Sequence, residues 1–429
     1  MDKTKDKEVE LRKNNMKLYP FYEMIGYDVL FYYAIRVMFL SEVKSFNNSQ
    51  IMICTTIYAI FQILFQFPIT LLVSKIGKRN GAIVGNICLI IWAILLMILK
   101  DFKLLIISQL IFSLGFALKY ISEANLLSDS IPETDNSNEI FTSIDKKGFS
   151  RYHFFSSVAT VLSGFLFRIN HYLPLICTLV FILLTTVLSF NFVDIEKRKQ
   201  NKNKESQDFK KYKKELKQGY KFVINSKRLR ALLLFTGVLW GVFTLLETYE
   251  LLLLQNFNVE PQFIGLIFAS LEFVKGIFSR RALVFNKLFK NRSLSNILAS
   301  VSGLFIITGC ISFANINYYA KIITIIVLLL IMASFSAIYQ ILTKKYFNNF
   351  TNTKILPSIY SVKYISDNVF RIILTLVGTM LLMFLNIKIV FLVTGVLLVI
   401  ATVFISSYAD KKLGLDPEEY TQKDIYIRK

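Results

Sequence analysis

Apolar residues occur along this chain in twelve long runs that contain few charges and are separated by polar segments. Each run is close to the roughly 20 residues that a helix needs to cross a lipid bilayer. Because a backbone inside lipid must satisfy its own hydrogen bonds, the runs predict transmembrane helices, and the sequence lacks the alternation of a β-barrel. The pattern therefore predicts an all-α integral membrane protein. The runs lie near residues 22–43, 50–74, 81–99, 103–128, 150–169, 172–193, 229–255, 262–285, 293–313, 317–342, 357–385 and 387–408.

Basic residues are distributed unevenly among the segments that connect these runs. The chain has 50 lysines and arginines and a net charge of +21, yet the odd-numbered connections, together with the run ends beside them, hold only six basic residues. Cytoplasmic loops are enriched in Lys and Arg, so the bias places both termini and the central loop in the cytoplasm. We expect a multi-pass protein of the cell membrane that contacts the lipid bilayer. Because topology accounts for the charge, we do not expect nucleic acid as a partner.

The longest connection divides the twelve runs into two sets of six. Within it, apolar residues at helical spacing alternate with lysines, which predicts a basic amphipathic helix on the inner leaflet rather than a helix that binds a partner. That stripe consists of Phe209, Tyr212, Leu216, Tyr220 and Val223. The predicted organisation is a cytoplasmic tail (1–21), a six-helix bundle (22–193), a cytoplasmic linker (194–228), a second six-helix bundle (229–408) and a cytoplasmic tail (409–429).

The two sets of runs resemble each other at a constant offset of 212 residues. Matches at this offset occur in three separate places: the start of the second run, the loop that follows it, and the start of the fifth run. Six helices with the same direction in each half predict two six-helix bundles related by a pseudo-two-fold axis along the membrane normal. The matched pairs are Gln50 and Gln262, Lys75 and Lys287, Lys78 and Lys290, Arg151 and Lys363, and Tyr152 and Tyr364.

Ionisable residues interrupt several of the apolar runs. Such residues are costly in a membrane and tend to face a partner or a cavity. Residues three or four apart are neighbours on one helix face, so Lys119 and Glu123 predict an ion pair. The same rule predicts structural ion pairs in the eighth and eleventh runs. Those pairs involve Glu272, Lys275, Lys363, Asp367 and Arg371.

Two further sets of charges lack this simple pairing. Asp28 and Arg36 are eight residues apart, so on one continuous helix they share a face at a distance of about 12 Å. Glu247 and Glu250 have no cation on their own run, so either a partner comes from another span or one carboxyl is protonated. We expect Glu23 to lie at the inner membrane interface with little functional weight.

The loop after the second run, Thr70-Leu-Leu-Val-Ser-Lys-Ile-Gly-Lys-Arg79, resembles the G-x-x-x-D-R-x-G-R-R/K loop of the major facilitator superfamily. Its basic positions and its glycine match, whereas the family's first glycine and aspartate are Thr70 and Ser74 here. The resemblance implies a gating role for the loop, and membrane topology alone is the other explanation of its charges. The gating candidates are Ser74, Lys75, Gly77, Lys78, Arg79, Lys287 and Lys290.

In that superfamily, spans one, four, seven and ten line a central cavity. The resemblance therefore implies that charged and aromatic residues of these spans contact a solute or carry a proton. Among them we expect Asp28, Glu247 and Glu250 to act as proton carriers. The full set of cavity candidates is Asp28, Tyr32, Arg36, Lys119, Glu123, Glu247, Glu250, Tyr339 and Gln340.

These features together predict a secondary active transporter of a small organic solute or drug. It would work by alternating access and be coupled to a proton or ion gradient, because the sequence has no nucleotide-binding loop. The four cysteines form no CxxC pair, so we expect no metal and no cofactor. We expect a monomer, and the abundance of Lys, Ile, Asn and Phe suggests a bacterial source. The alternatives are a membrane enzyme that acts on lipid or cell-wall precursors, or a receptor or scaffold that transports nothing.

Overall fold

The structure is a computed structural model that describes residues 2–132, 137–195, 214, 217–350 and 356–409. All regular secondary structure in these residues is helical. The first part contains α1 (Asp2–Gly26), α2 (Leu30–Tyr33), α3 (Arg36–Met38), a π-helical turn (Phe39–Val43), α4 (Asn48–Ile76), α5 (Lys78–Ile98), α6 (Phe102–Ser130), α7 (Ser137–Ile169) and α8 (Leu173–Ser189). The second part contains α9 (Lys227–Asn256), α10 (Pro261–Phe289), a 3-10 turn (Lys290–Arg292), α11 (Ser293–Phe313), α12 (Tyr318–Phe350), α13 (Leu356–Phe384) and α14 (Ile387–Ala409).

Each predicted apolar run falls on one of these helices or, for the first run, on a broken series of them. Nine helices among the described residues are long and apolar enough to cross a membrane, and a bent pair in the first run makes ten. Helices α7 and α8 fall short of that test; α8 is apolar but has only 17 residues. The chain is therefore an all-α, multi-pass membrane protein.

The first run differs from the single helix predicted over 22–43. Helix α1 begins at Asp2, so the described part of the predicted tail is already helical and continues into the membrane span. The helix ends at Gly26, and the segments Glu8–Tyr33 and Arg36–Val43 are bent by 47° relative to each other. The Asp28 carboxylate accepts a hydrogen bond from the Val29 backbone N–H at 2.7 Å, which provides the interrupted backbone with a local partner.

Polar side chains and turn residues set several helix boundaries. Asn47 and Gln50 cap each other's backbone N–H groups at the start of α4, at 2.8 and 3.0 Å. Asp101 accepts a hydrogen bond from the Leu104 N–H at the start of α6. Helix α4 is followed by Gly77 at φ 92°, a left-handed conformation that glycine adopts without steric cost. Such caps and turns mark where one long helix ends and the next begins. The hydropathy pattern alone shows only that the apolar runs are separate.

The described residues form two compact units. The first unit comprises the residues up to Phe46, those from Ile57 to Lys210, and Pro261–Ala269. The second comprises Asn47–Thr56, the residues from Lys211 to Glu260, and those from Ser270 onward. This division differs from a simple cut at the linker, because the first turns of α4 and α10 each belong to the other unit.

The first turns of α10 pack closely against a glycine of the first unit, and the first turns of α4 form a buried hydrogen bond within the second unit. In the first unit, a side chain at Gly164 of α7 would collide with the Pro261 carbonyl and approach Gln262 Cα within 2.9 Å. In the second unit, the Thr56 hydroxyl donates to the Thr375 hydroxyl at 2.8 Å, and both groups are buried. Small residues favour close helix packing in membranes, where interhelical hydrogen bonds also add stability.

The same helix pairings recur inside each unit. In the first unit α1 packs on α7, and α5 packs on both α6 and α8. In the second unit the equivalent helices repeat this arrangement, with α9 on α13 and α11 on both α12 and α14. The recurrence supports the internal repeat that the offset of 212 residues predicts.

The linker is described only in part. Residues 217–225 are helical, with Val223 buried and Tyr220 60% exposed. The two therefore do not share one uniformly packed face, although the predicted stripe includes both. Three other stripe residues, Phe209, Tyr212 and Leu216, lie outside the described residues, as does the C-terminal tail from residue 410.

Candidate functional site

A polar cluster in the first unit surrounds Lys119 of α6, which is 3% exposed. Its ammonium donates a hydrogen bond to the Gly26 carbonyl, where α1 ends, and pairs with the Glu123 carboxylate at 3.6 Å. It also lies 5.6 Å from the ring centroid of Tyr22. The Lys119–Glu123 pair is the neighbour pair that the four-residue spacing predicts, and the structure adds the end of α1 as a third partner.

Three residues of this cluster were not predicted from the sequence. The Tyr22 hydroxyl donates to Glu123 at 2.5 Å, and the Asn86 amide donates to the Tyr22 oxygen at 3.3 Å. The same amide donates to the Ser189 hydroxyl at 2.9 Å. An asparagine inside an apolar run was the available signal, since a polar residue in a membrane helix usually hydrogen-bonds to another helix. The cluster thus joins α1, α5, α6 and α8.

The other candidates of the first span lie around its interruptions. Asp28 caps the backbone ahead of α2, whereas Arg36 lies in α3 with its guanidinium 5.0 Å from the Tyr33 ring centroid. The prediction that Asp28 and Arg36 share one helix face is wrong, because the helix is broken between them. Tyr32 is buried and packs edge-on against Trp92 at 5.4 Å.

Glu23, for which we predict a position at the inner membrane interface, is buried within the first unit. The side chain is 6% exposed and is packed against α7, where a Cβ atom at Gly148 would collide with its carboxylate. The absence of a side chain at Gly148 therefore makes room for this carboxylate. A glycine among the charged residues before the fifth run was the signal for this close approach.

In the second unit, Lys275 of α10 interacts with three carboxylates. Its ammonium pairs with the Glu272 carboxylate at 2.8 Å and interacts electrostatically with Glu247 and Glu250 of α9. Glu250 is 5% exposed. The Glu272–Lys275 pair has the predicted three-residue spacing, and for the α9 carboxylates the structure favours the alternative of a partner from another span. The cation that the α9 carboxylates lack on their own helix is supplied by the next one.

A second ion pair of this unit lies on α13, where Lys363 pairs with Asp367 at the predicted four-residue spacing. Tyr339 of α12 is buried and interacts electrostatically with Asp367, which joins a predicted cavity residue to a predicted structural pair. Gln340, the next residue along α12, is exposed. Arg371, the third residue predicted in this set, lies one turn further along α13.

The loop between α4 and α5 is tied to its own unit. Lys78 pairs with Asp129 at the end of α6, and the Arg79 guanidinium donates to the Phe190 carbonyl at 2.8 Å. The Arg79 N–H donates to the Asp194 carboxylate at 3.0 Å. These contacts explain the two basic positions through packing inside the first unit.

The remaining gating candidates are arranged differently. Lys75, Lys287 and Lys290 are exposed, and the side chain of Ser74 lies outside the described part of the structure. The second loop is organised around Asn286, whose side-chain oxygen accepts hydrogen bonds from Tyr346 and Ser293. Across the described ranges, no group of His, Cys, Asp and Glu is arranged to hold a metal ion.

Comparison with solved structures shows the fold. The chain matches the nucleoside transporter NupG with a TM-score of 0.68 and 11% identity, over 96% of this chain and 100% of that one. It matches a D-xylose–proton symporter with a TM-score of 0.65 and 9% identity, over 95% and 98%. It matches a POT family transporter in complex with 5-aminolevulinic acid with a TM-score of 0.63 and 13% identity, over 94% and 96%.

Comparison of the sequence with characterised proteins and families gives a narrower result. No curated protein matches the sequence. The sequence profile of the Major Facilitator Superfamily matches residues 24–342, which is well over half of the chain and includes both Lys119 and Lys275. The chain therefore belongs to the Major Facilitator Superfamily.

Proposed function

We propose that this protein is a secondary active transporter that moves a small polar organic solute across the cell membrane by alternating access. Family membership supports transport, and proteins of the same fold include a nucleoside transporter and a D-xylose–proton symporter. We place both termini in the cytoplasm, because the basic connections alternate with connections that have few cations.

We further propose that transport is coupled to protons through Glu247, Glu250, Glu272 and Lys275. The observation that carries this proposal is one ammonium group, that of Lys275, which pairs with Glu272 on α10 and interacts electrostatically with two carboxylates of α9. Ionisable groups within membrane helices are costly, and carboxylates that share one site repel each other. A proton bound to one carboxylate lowers the charge of the cluster, so the cluster is suited to bind and release protons during a transport cycle.

We propose that the Lys119 cluster and the interrupted first span form the region that binds the solute. Discontinuous helices expose backbone groups that bind polar ligands in transporters. Here the interruption after Gly26 lies next to a buried ammonium, and the buried ring of Tyr32 follows it. Asp28, Tyr32 and Arg36 are the residues we assign to solute contact in this region.

Reconstituted vesicles test the proposal. Purified protein is placed in liposomes that contain a pH-sensitive dye, and pentoses, nucleosides and short peptides are added outside. We expect at least one solute to acidify the lumen, and a protonophore to abolish its accumulation. If no solute produces a flux that responds to the proton gradient, proton coupling is wrong.

A pair of variants separates coupling from solute binding. Glu247→Gln combined with Glu250→Gln should lose accumulation driven by the proton gradient while retaining exchange of labelled solute between the two sides. Glu10→Gln, which changes an exposed carboxylate of α1, is the control and should behave as the unmodified protein does. Normal accumulation by the double variant would contradict the assignment of the cluster.

A further inference from the structure

A buried polar site lies where α9, α12 and α13 meet in the second unit. We define the Asp367 site by Thr236 of α9, Tyr339 of α12, and Lys363 and Asp367 of α13. Lys363 also lies 5.9 Å from the ring centroid of Phe347, two turns beyond Tyr339 on α12. Tyr339 and Phe347 therefore present one face of α12 to the Lys363–Asp367 pair. The site shares no residue with the carboxylate cluster around Lys275.

The two oxygens of Asp367 have different surroundings. The residue is 6% exposed, and its Oδ2 accepts a hydrogen bond from the Lys363 ammonium. Its Oδ1 is buried and accepts no hydrogen bond from the residues that the structure describes. A buried carboxylate oxygen without a donor is costly, because it has lost water and gained nothing in exchange.

The hydrogen of the Tyr339 hydroxyl is already used in a contact with α9. The hydroxyl donates to the Thr236 backbone carbonyl at 2.8 Å, and the ring is 2% exposed. The phenolic oxygen also interacts electrostatically with Asp367. A tyrosine hydroxyl has one hydrogen to donate, so toward Asp367 the oxygen can only accept. The Asp367 carboxylate and the Tyr339 oxygen therefore repel each other electrostatically, and a proton on the carboxylate would lower this repulsion.

We propose that Asp367 is a proton-binding site, with the proton on Oδ1, the oxygen directed away from Lys363. The bond that forms is the carboxyl O–H, the bond that breaks is an O–H of hydronium, and no electron is transferred. Lys363 keeps its own proton. The charge of the Lys363–Asp367 pair therefore changes from zero to plus one.

The charged surroundings of Asp367 come from few residues. Lys363 pairs with it from the preceding turn of α13, Arg371 follows one turn later, and Tyr339 of α12 interacts with it electrostatically. Helix α9 contacts α12 at Thr236 and α13 at Gly237, whose Cβ position would collide with the Phe370 ring, so its contacts at this site are uncharged. Helix α14 has Lys388 in its first turn and no further charged residue up to its end.

Infrared difference spectroscopy on the purified full chain tests the proposal without a transport substrate. A change from alkaline to mildly acidic buffer should produce a carboxylic acid C=O stretching band that disappears in Asp367→Asn. The same variant should take up one proton fewer per molecule over that pH change. Asp101→Asn, which changes an exposed cap of α6, is the control and should leave the buried-acid band unchanged.

A second variant keeps the proposal testable if Asp367→Asn does not fold. Tyr339→Phe retains the buried ring and removes only the acceptor oxygen, so the frequency of the Asp367 band should change. An identical band in the unmodified protein and in either variant would overturn the proposal. Proton binding is measured here without solute, so it can fail while transport and the Lys275 cluster hold, or succeed while they fail.

Discussion

Lys119 of α6 donates a hydrogen bond from its buried ammonium to the backbone carbonyl of Gly26, the residue at which α1 ends. The last carbonyls of a helix lack intrahelical donors, and a cation near them is favourable. The same ammonium pairs with Glu123, which also accepts a hydrogen bond from Tyr22 of α1. One lysine thus stabilises the interruption of the first span and connects it to the fourth.

Replacement of Lys119 by methionine should destabilise the protein. The Glu123 carboxylate would remain buried without its cation and the Gly26 carbonyl would lose its donor, which we expect to cost about 3 kcal/mol. Thermal unfolding of the purified protein measures the change. Adding Glu123→Gln to this variant should restore part of the stability, whereas Lys100→Met at an exposed loop position should have little effect. Equal melting temperatures for Lys119→Met and Lys100→Met would contradict this role.

Replacement of Gly164 by alanine should weaken the packing of the first unit. The added Cβ meets backbone atoms of Pro261 and Gln262, which cannot rotate away, so we expect a loss of about 1–3 kcal/mol. Gly303→Ala is the matched control, because a Cβ there meets nothing within 4 Å. Alanine favours helix formation over glycine, so the control should be neutral or slightly stabilising. The melting temperatures of the two variants test this prediction. A similar shift for both would show that α7 and α10 move apart enough to accommodate the added Cβ at residue 164.

Lys78 and Lys290, which occupy equivalent positions in the two repeats, should contribute different amounts to the unfolding free energy. Lys78 pairs with Asp129, whereas Lys290, its match at the offset of 212, is exposed. The Lys78–Asp129 pair is partly exposed, so Lys78→Gln should cost about 1 kcal/mol in unfolding free energy. Lys290→Gln should cost less than that. Exchange of the two charges, Lys78→Asp with Asp129→Lys, should recover stability.

The same variants separate the two explanations of the loop. If Lys78→Gln lowers the transport rate in vesicles while the melting temperature stays unchanged, the loop acts as a gate. If stability and transport fall together and the charge exchange restores both, the lysine acts through the packing of its own unit. We expect the second result.

The buried hydrogen bond between Thr56 and Thr375 should contribute a small, measurable stability to the second unit. Polar contacts between membrane helices are worth about 0.6 kcal/mol on average. Thr56→Val and Thr375→Val keep the shape of each side chain and remove its hydroxyl. A double-mutant cycle on unfolding free energies should give a coupling of about this size. A coupling of zero would show that the 2.8 Å contact adds nothing to stability.

The sequence alone was sufficient for the helical membrane fold and for interactions within one helix. Spans follow from hydropathy, because lipid selects long apolar segments and satisfies no backbone group. The pairs Lys119–Glu123, Glu272–Lys275 and Lys363–Asp367 follow from the helical repeat, which makes residues three or four apart neighbours wherever the helix lies. The predicted family also follows from the sequence, through the loop that ends at Arg79.

Only the tertiary structure decided which helices share a polar site. The electrostatic interaction of Lys275 with Glu247 depends on how α9 and α10 are rotated about their axes, which the pattern of neither helix specifies. The same holds for the interaction of Tyr339 with Asp367. At the interruption after Gly26, the carbonyl accepts a hydrogen bond from Lys119, which is 93 residues away along the chain. Sequence periodicity reports the faces of a single helix, whereas register and rotation between helices are set by the packing of all of them.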